Sequence, residues 1–346
     1  MTPEQPRLGV VLVNWNRWAD TIECLESLLR STVPLNIVVV DNGSSDGSLD
    51  RIRDWAAGTL DATPVEAGMA RFSEPPLPKP VAVETLSTAM LPELGPQRLA
   101  EALTLPALTL IDAGANLGFA GGNNLGLKLL LASPVDRFWL LNNDTIVDPL
   151  AAAALLARMD ATYRIGMCGT VVRYYHRPGT LQALNGSRFN WFTGQSRGLG
   201  AGRPVTTPFN PARIAEQTDF VLGASLGVSR AFLQSVGLME ESYFLYFEEI
   251  DWAVRCRGAF TTAFAHGAIV YHKEGGSIGS SGVPGARSGS AEYWLTRSRL
   301  HFIRRHQIVL LPWHWLLTLL LAARRVARGQ FAKAGAMVRA LIGVKY

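Results

Sequence analysis

The fold is decided near the N-terminus, in residues 8–55, LGVVLVNWNRWADTIECLESLLRSTVPLNIVVVDNGSSDGSLDRIRDW. Two short apolar runs rich in β-branched residues, at 8–13 and 35–40, have the length and composition of buried strands. Apolar residues at helical spacing follow each run, beginning at Trp18 and at Leu49. This order of strand, helix, strand and helix predicts parallel strands joined by right-handed crossovers, and therefore an α/β fold.

The same alternation resumes in the second third of the chain and continues to about residue 272. Further strands are predicted at 107–111, 138–141 and 268–271, helices at 121–131, 229–236 and 248–257, and hairpins and loops up to about 220. We therefore predict one domain over residues 1–280, with a Rossmann-like, mostly parallel central sheet flanked by helices.

Residues 61–106 interrupt this alternation. The segment contains eight prolines and has no clear hydrophobic period, so we interpret it as a surface insertion, with a short helix predicted at 96–103. Two roles are open for it: a tolerated insertion, or a lid or partner-docking element.

The cysteines and the N-terminus indicate the compartment. Cys24, Cys168 and Cys256 are widely spaced and form no C-x-x-C pair, so we expect neither a structural zinc site nor a disulfide framework. The first residues lack the charged start and long apolar run of a signal peptide. We therefore expect a cytoplasmic protein.

The C-terminal segment, residues 281–346, is predicted to be a Gly/Ser linker followed by a basic, apolar helical tail. Residues 293–346 hold ten Lys and Arg and no Asp or Glu, which leaves 23 basic against 28 acidic residues in the rest of the chain. The apolar run at 308–323 contains Trp313 and Trp315, is flanked by arginine pairs, and is short for a membrane span. It favours an interfacial helix on an anionic membrane, with a core helix packed on the domain as the alternative. Because the run is so apolar, we expect no nucleic-acid partner.

Polar residues end four successive predicted strands. They are Asn14 and Asn16, then Asp41, then Asn116, and finally 142–144 with the sequence Asn-Asn-Asp. Ligands of open α/β sheets bind at the carboxyl ends of the strands, so these residues are candidate ligand contacts. The Asp41 carboxylate can accept hydrogen bonds from a base or a ribose, although turn and capping chemistry accounts for such residues equally well.

The segment 116–124 is a glycine-rich junction between a strand and a helix. Gly118 and its neighbours let the backbone approach a phosphate. The segment matches neither G-x-G-x-x-G nor the P-loop pattern, which argues against a dinucleotide-binding oxidoreductase and a P-loop enzyme. Just beyond it in the fold, Asn143 and Asp144 offer oxygen ligands for Mg²⁺ or Mn²⁺ bound to a diphosphate; an ordinary turn is the alternative.

Three carboxylates, Glu248, Glu249 and Asp251, lie within four residues beside aromatic side chains. Crowded carboxylates raise each other's pKa, which suits a general base; a solvated helix start is the alternative. His272 ends a predicted strand before a glycine-rich loop, where it is either structural or a ligand of a metal or diphosphate.

Seven segments, taken together and in order, resemble family 2 glycosyltransferases of the GT-A fold. They are VVLVNWN (10–16), VVVDNGSSDGS (38–48), NLGFAGGNNLG (116–126), WLLNNDT (139–145), GASLGVSR (223–230), FLYFEEIDWAVRCR (244–257) and VYHKEGGS (270–277). The style of these segments is similar to a bacterial rhamnosyltransferase-like subgroup, which tends to use dTDP-rhamnose and polyprenyl-linked acceptors.

The resemblance implies a role for several residues. Asp41 matches an aspartate that contacts the nucleoside base, and Asn124 matches a polar donor-site position. Asp144 matches the last residue of the metal-binding D-x-D motif, whose first acid is replaced here by Asn142, and His272 matches a histidine that can ligate the metal. The expected base is Glu249, with Glu248 and Asp251 left open.

The implied reaction is an inverting, metal-dependent transfer of a sugar to a hydroxyl group, in the synthesis of cell-surface polysaccharide. The expected donor is dTDP-rhamnose, and the acceptor a saccharide or a polyprenyl-linked molecule at the inner face of the cytoplasmic membrane. The alternatives are a transferase using a UDP-sugar (galactose, galactofuranose or N-acetylhexosamine) and a nucleotide-sugar-binding protein without activity.

Overall fold

The structure is a computed structural model, which describes residues 8–61, 66–89, 108–256, 258–274 and 288–345. Its strands are β1 (Leu8–Asn14), β2 (Leu35–Asp41), β3 (Val83–Ser87), β4 (Leu108–Asp112), β5 (Arg137–Asn142), β6 (Thr145–Val147), β7 (Ile165–Tyr174), β8 (Arg177–Leu184), β9 (Gly186–Asn190), β10 (Gln195–Gly198), β11 (Phe220–Val221), β12 (Ser225–Ser229) and β13 (Thr261–His272).

Helices alternate with these strands in the first half of the chain and follow one another at the C-terminus. They are α1 (Trp18–Leu28), α2 (Ser48–Ala57), α3 (Gly118–Leu131), α4 (Ala151–Met159), α5 (Pro211–Gln217), α6 (Arg230–Val236), α7 (Glu248–Arg255), α8 (Gly289–His306), α9 (Leu311–Val326) and α10 (Phe331–Leu341).

A ten-stranded sheet in the order β3-β4-β2-β1-β5-β12-β7-β13-β6, with β8 paired to β7, forms the centre of the molecule. The first five strands of this order are parallel, while β12 runs antiparallel to both β5 and β7. A smaller sheet has the order β10-β9-β11. The predicted mostly parallel, helix-flanked sheet is therefore confirmed.

The register of the parallel strands brings the predicted polar strand ends to one edge. Asn14 is opposite Asp41, and Asp41 is opposite Asp112 on β4. On the other side of the sheet, His272 at the end of β13 is opposite Thr145 at the start of β6. Residues that are 127 positions apart in the sequence are thus neighbours at this edge.

Both faces of the sheet are buried, as continuous apolar strands require. On one face α1, α2 and α4 pack against side chains such as Leu12 and Val39. On the other face α3, α7 and α8 pack against side chains such as Val11 and Val38. Alternate residues of each strand therefore belong to opposite cores, and the cavity described below lies beside the second one.

The proline-rich insertion is more ordered than predicted over residues 66–89. It forms a 3-10 helix, Ala67–Phe72, and the edge strand β3, which pairs in parallel with β4. Lys79 pairs with the buried Glu26 of α1 at 3.0 Å. The insertion therefore extends the sheet with a strand that the sequence analysis did not predict. The helix predicted at 96–103 lies outside the described residues.

The C-terminal helices pack on the body of the molecule. Phe302 and Ile303 of α8 are fully buried in the main core, and Trp191 stacks on Phe302 with ring centroids 5.0 Å apart. In α9, one face is buried, at His314, Thr318 and Ala322. Within the described residues, one helical stretch, Ile308–Val326, is long and apolar enough to cross a membrane, with 17% of its sequence window buried.

Candidate active site

A cavity of about 1340 Å³ opens at the carboxyl edge of the sheet. Seven of the predicted site residues line it: Asn116, Gly118, Asn143, Asp144, Glu248, Glu249 and His272. Asn14, Asn16, Asp41, Asn124 and Asp251 are not among its lining residues. The candidates from the sequence thus divide into a group that faces the cavity and a group that lies behind it.

The residues behind the cavity form a buried hydrogen-bond network. The Asn14 side-chain amide donates to an Asp41 carboxylate oxygen at 2.9 Å, and the Asn143 side-chain amide donates to Asn14 Oδ1 at 3.2 Å. Asn16 accepts from the Ser45 backbone N–H at 2.7 Å. Because Asp41 also accepts from the Ser44 backbone N–H, both of its oxygens are engaged. The network fixes the three strand ends relative to one another.

Asn116 and Gly118 shape the strand-to-helix junction. The Asn116 side chain accepts from the Gly118 N–H at 2.9 Å and from the Asn42 amide at 3.1 Å. Gly118 has a φ of +74°, and a Cβ there would lie 2.4 Å from the backbone oxygen of Phe244. This position therefore requires glycine, since any side chain would collide with the backbone of the loop before α7.

Asn124 has a different role from the predicted donor contact. Its amide donates to the Met239 carbonyl and to Glu241, each at 2.9 Å, and its oxygen accepts from the Met239 N–H at 3.0 Å. Asn124 is 1% exposed. Its hydrogen bonds hold the 239–241 segment against α3, away from the cavity.

Asp144 and His272 face each other across the β6–β13 pair. An Asp144 carboxylate oxygen lies 3.1 Å from His272 Nε2, and His272 Nδ1 lies 2.9 Å from Gln182 Oε1. Burial alone would raise the pKa of Asp144, but the facing His272 outweighs it and lowers that pKa. Burial would likewise lower the pKa of His272, and Asp144 reverses this. Each partner therefore favours the charged form of the other.

The Asp144–His272 pair fits a divalent cation that is completed by a ligand. The two groups offer one oxygen and one nitrogen donor at the cavity wall, and the described residues contain no group of three His, Cys, Asp or Glu that could hold a metal without help. Mg²⁺ is commonly bound by one or two side chains together with substrate phosphates. The donor set thus suits a metal that arrives with a diphosphate.

Glu248 and Glu249 begin α7 after two residues in the left-handed region. Tyr246 has a φ of +68° and Phe247 a φ of +75°. Left-handed backbone at bulky residues is costly and is maintained by the surrounding packing. Phe247 is buried against Phe189 and Phe302, which hold it in place. The turn directs the first residues of the helix at the cavity.

The two glutamates have strongly perturbed pKa values. Burial, and next to it the neighbouring Glu249, raise the pKa of Glu248 well above its ordinary value. Burial raises the pKa of Glu249 from 4.5 to about 7, although hydrogen bonds from the backbone of Glu249 and Gly223 oppose it. A carboxyl group with a pKa near 7 can exchange a proton near neutral pH, which is what a general base requires.

Asp251 lies behind the cavity in a cluster of ion pairs. Its oxygens lie 2.7 Å from Arg255 Nε, 2.7 Å from His306 Nε2 and 3.5 Å from Arg305 Nε, and the residue is fully buried. These contacts join α7 to α8. Of the three predicted carboxylates, Glu248 and Glu249 line the cavity and Asp251 does not.

Several cavity residues were missed by the sequence reasoning. They are Trp15, Gln182, and the tail residues Arg299, Arg324, Arg325 and Arg328. The excess of arginine in the tail was visible in the sequence, but nothing local indicates that these helices fold back to form a wall of the cavity.

Comparison with known proteins agrees with this geometry. The model of the family "Glycosyl transferase family 2" matches residues 9–66. A mannosyltransferase of Pyrobaculum calidifontis, solved with GDP-Man and Mn²⁺, is 12% identical, with a TM-score of 0.51 over 98% of this chain and 87% of that one. GalNAc-T7, solved with UDP, GalNAc and Mn²⁺, is 13% identical, with a TM-score of 0.53 over 87% of this chain and 48% of that one.

No curated protein matches the chain in sequence. At 12–13% identity the two solved structures show the fold alone, while the family match covers the strands and helices with which the fold begins. The chain is thus similar to family 2 glycosyltransferases over residues 9–66, and its fold is similar to the GT-A fold of the two solved structures.

Proposed function

We propose that the protein transfers a sugar from a nucleotide-sugar donor to a hydroxyl group with inversion at the anomeric carbon, and that Glu249 is the base. One observation carries the proposal. Glu249, with a pKa of about 7, faces the same cavity as the Asp144–His272 pair. A single displacement requires a base for the acceptor hydroxyl and a group that binds the leaving diphosphate, both facing the same cavity.

In this reaction the Glu249 carboxylate takes the proton of the acceptor hydroxyl. The acceptor oxygen forms a bond to the anomeric carbon while the bond from that carbon to the diphosphate oxygen breaks, and the nucleoside diphosphate leaves. An inverting transfer needs a single protein base, and the raised pKa of Glu248 disfavours its ionised form relative to an ordinary glutamate.

Asp144 and His272 would hold a divalent cation together with the diphosphate oxygens. A bound Mg²⁺ or Mn²⁺ neutralises the charge that develops on the leaving diphosphate. Gln182 lies 2.9 Å from the other His272 ring nitrogen, which keeps the imidazole oriented toward Asp144. Both solved structures cited above contain Mn²⁺, which supports a metal of this kind.

The donor we expect is dTDP-rhamnose, on the strength of the motif resemblance, and UDP-sugars are the alternative. Asp41 can contact the nucleotide only if the nucleobase reaches the hydrogen-bond network behind the cavity. There the Asp41 carboxylate already accepts from Asn14 and Ser44. Asn14, Asn16, Asn116, Gly118 and Asn143 would then bind the nucleotide sugar through the strand ends. Asn124 supports the site through the 239–241 segment.

The enzyme is proposed to work at the inner face of the cytoplasmic membrane, on a saccharide or polyprenyl-linked acceptor for cell-surface polysaccharide. Support comes from α9 and the turn before it, where Val309, Trp315 and Leu320 are 79%, 51% and 55% exposed. Exposed tryptophan and leucine next to arginines are typical of helices that lie in a membrane interface.

The test is the variant Glu249→Gln, assayed for sugar transfer and for donor binding. A lost general base lowers the rate by roughly 10²–10⁴-fold. Since the amide keeps the shape of the side chain, we expect the donor dissociation constant to change little. Glu84→Gln, a charge loss at an exposed residue of the edge strand, is the matched control and should keep the wild-type rate.

The pH profile completes the test. The pKa of Glu249 is raised to about 7, so the active, ionised form accumulates above that pH, and kcat/KM should rise through about pH 7 and then level off. A near-wild-type rate in Glu249→Gln would move the base elsewhere. Donor binding without turnover in the wild type would favour the non-catalytic binding protein.

A further inference from the structure

The cavity has a second wall, and this wall is basic. It is built by the C-terminal helices and the turn after α9, with lining residues Glu292, Arg299, Arg324, Arg325, Arg328 and Gln330. Four arginines and one acid give this wall a net positive charge. None of these arginines belongs to the seven segments with which the family resemblance was argued.

The arginines differ in how they are held. Arg325 is paired with Glu292 and donates to Gln330 at 2.9 Å, so one arginine is neutralised locally. Arg299 is 7% exposed, and its Nη2 donates to Thr318 at 2.6 Å, while its Nε has no hydrogen-bond partner among the described residues. A buried guanidinium N–H without a partner is costly, and an anionic ligand would satisfy it.

Arg324 and Arg328 carry the uncompensated charge. Both side chains are exposed, and neither forms an ion pair within the part of the chain that the structure describes. Guanidinium groups bind phosphate oxygens through two parallel hydrogen bonds, which makes arginine the preferred side chain for phosphate recognition. The basic wall therefore has the donors and the charge for a phosphate group.

The same helix presents an apolar face beside this charge. His314, Thr318 and Ala322 fix α9 to the body, and the opposite side exposes Trp315, Leu316, Leu319 and Leu320 at 49–55%. Arg324 follows this apolar face by one helical turn. A ligand with an apolar chain and a phosphate head would meet both features of α9 together.

We propose that Arg299, Arg324 and Arg328 form a subsite for the phosphate or diphosphate of a lipid-borne acceptor, whose chain lies along the exposed face of α9. The inference rests on the proposed function, because it assigns the acceptor side of the same cavity. The lipid phosphate is held on the basic wall while the acceptor hydroxyl reaches Glu249 on the opposite wall. The Asp144–His272 pair remains with the donor.

The experiment uses the full chain and vesicles of phosphatidylcholine. One set carries a polyprenyl monophosphate, and the other carries phosphatidylglycerol at matched surface charge. We expect the wild type to bind the first set at least about tenfold more tightly, because a terminal phosphate offers more free oxygens to the arginines. The double variant Arg324→Gln/Arg328→Gln should lose this preference.

The matched control is Arg304→Gln/Arg339→Gln, which removes the same charge from exposed tail residues outside the cavity lining. It should keep the preference. Equal losses in the two double variants, or no preference in the wild type, would overturn the subsite. A third outcome would also overturn it. If inorganic diphosphate binds through these arginines and the vesicles show no preference for the polyprenyl phosphate, the arginines form a site for free phosphate.

A thermal-shift measurement with nucleotide sugars separates this inference from the proposed function. With nucleotide sugars, the melting temperature of both double variants should rise as much as that of the wild type. If this rise is lost in Arg324→Gln/Arg328→Gln alone, these arginines belong to the donor site instead. The rise in the melting temperature of the wild type tests the proposed function independently of the arginine variants.

Discussion

At the scale of single residues, the site depends on where one carboxylate is placed. Glu249 packs so closely over Gly223 that a Cβ there would lie 1.8 Å from Glu249 Oε1. Gly223 begins a motif segment, and its backbone also hydrogen-bonds the Glu249 carboxyl. The glycine thus provides both the space and a donor for the base.

Gly223→Ala should therefore lower the catalytic rate by displacing Glu249. The methyl group displaces the carboxylate, and a misplaced catalytic group costs about 10²-fold in kcat. The control is Gly179→Ala, since a Cβ at Gly179 meets nothing within 4 Å, and it should leave kcat unchanged. Steady-state kinetics and circular dichroism check the pair; unchanged kcat in Gly223→Ala would mean that Glu249 need not lie where the structure has it.

The residue scale also shows what local sequence could predict of the site. Asp144, His272 and Glu249 could be chosen as candidates because strand ends and acidic motifs are visible in short stretches, and the structure places all three on one cavity. Asp251 was not separable from Glu249, since both belong to one motif. Its partners Arg305 and His306 come from a helix about 50 residues later, and such pairing leaves no local signal.

At the scale of elements, α7 is held from two sides. Its start is set by the left-handed Tyr246 and Phe247, and its middle is tied by Asp251 to α8. The helix that carries Glu249 is therefore anchored to the C-terminal helices that build the basic wall.

Asp251→Asn should destabilise the protein. Removing one partner of a buried ion pair typically costs about 3–5 kcal/mol, because the remaining charges stay buried. We expect a loss of this size in the free energy of unfolding, measured by urea denaturation. Asp50→Asn, which breaks an exposed pair with Arg53, is the control and should cost less than about 1 kcal/mol. Equal, small losses in both variants would contradict the anchoring role.

The elements themselves were largely predictable where hydrophobic period and strand ends agree, as in β1, α1 and β2. The edge strand β3 was missed because prolines surround it and its burial comes from pairing with β4, more than 20 residues later. Long-range pairing also decides that β12 is antiparallel, which a run of apolar residues does not reveal.

At the scale of the whole molecule, the tail does more than one task. Its inner face completes the cavity and the core, so deleting it would expose Phe302 and Ile303 and unfold part of the domain. Membrane binding has to be tested on its outer face instead.

Trp315→Glu/Leu319→Glu should abolish binding to anionic vesicles while leaving the melting temperature near that of the wild type. Both side chains are about half exposed, and charges on the membrane-facing side of an interfacial helix oppose insertion. The control is Leu150→Glu/Tyr163→Glu, at exposed apolar residues of the body, which should bind as the wild type does. Unchanged co-sedimentation of the α9 variant would rule out this face as the membrane contact.

The most direct measurement is the melting temperature of the wild type, Glu249→Gln and Asp144→Ala with dTDP-rhamnose and UDP-sugars, each with and without Mn²⁺ or Mg²⁺. Ligands that bind the native state raise the melting temperature. We predict a metal-dependent rise with at least one nucleotide sugar for the wild type and Glu249→Gln, and none for Asp144→Ala relative to its own unliganded value. No rise for the wild type with any of these donors would contradict a nucleotide-sugar site in this cavity.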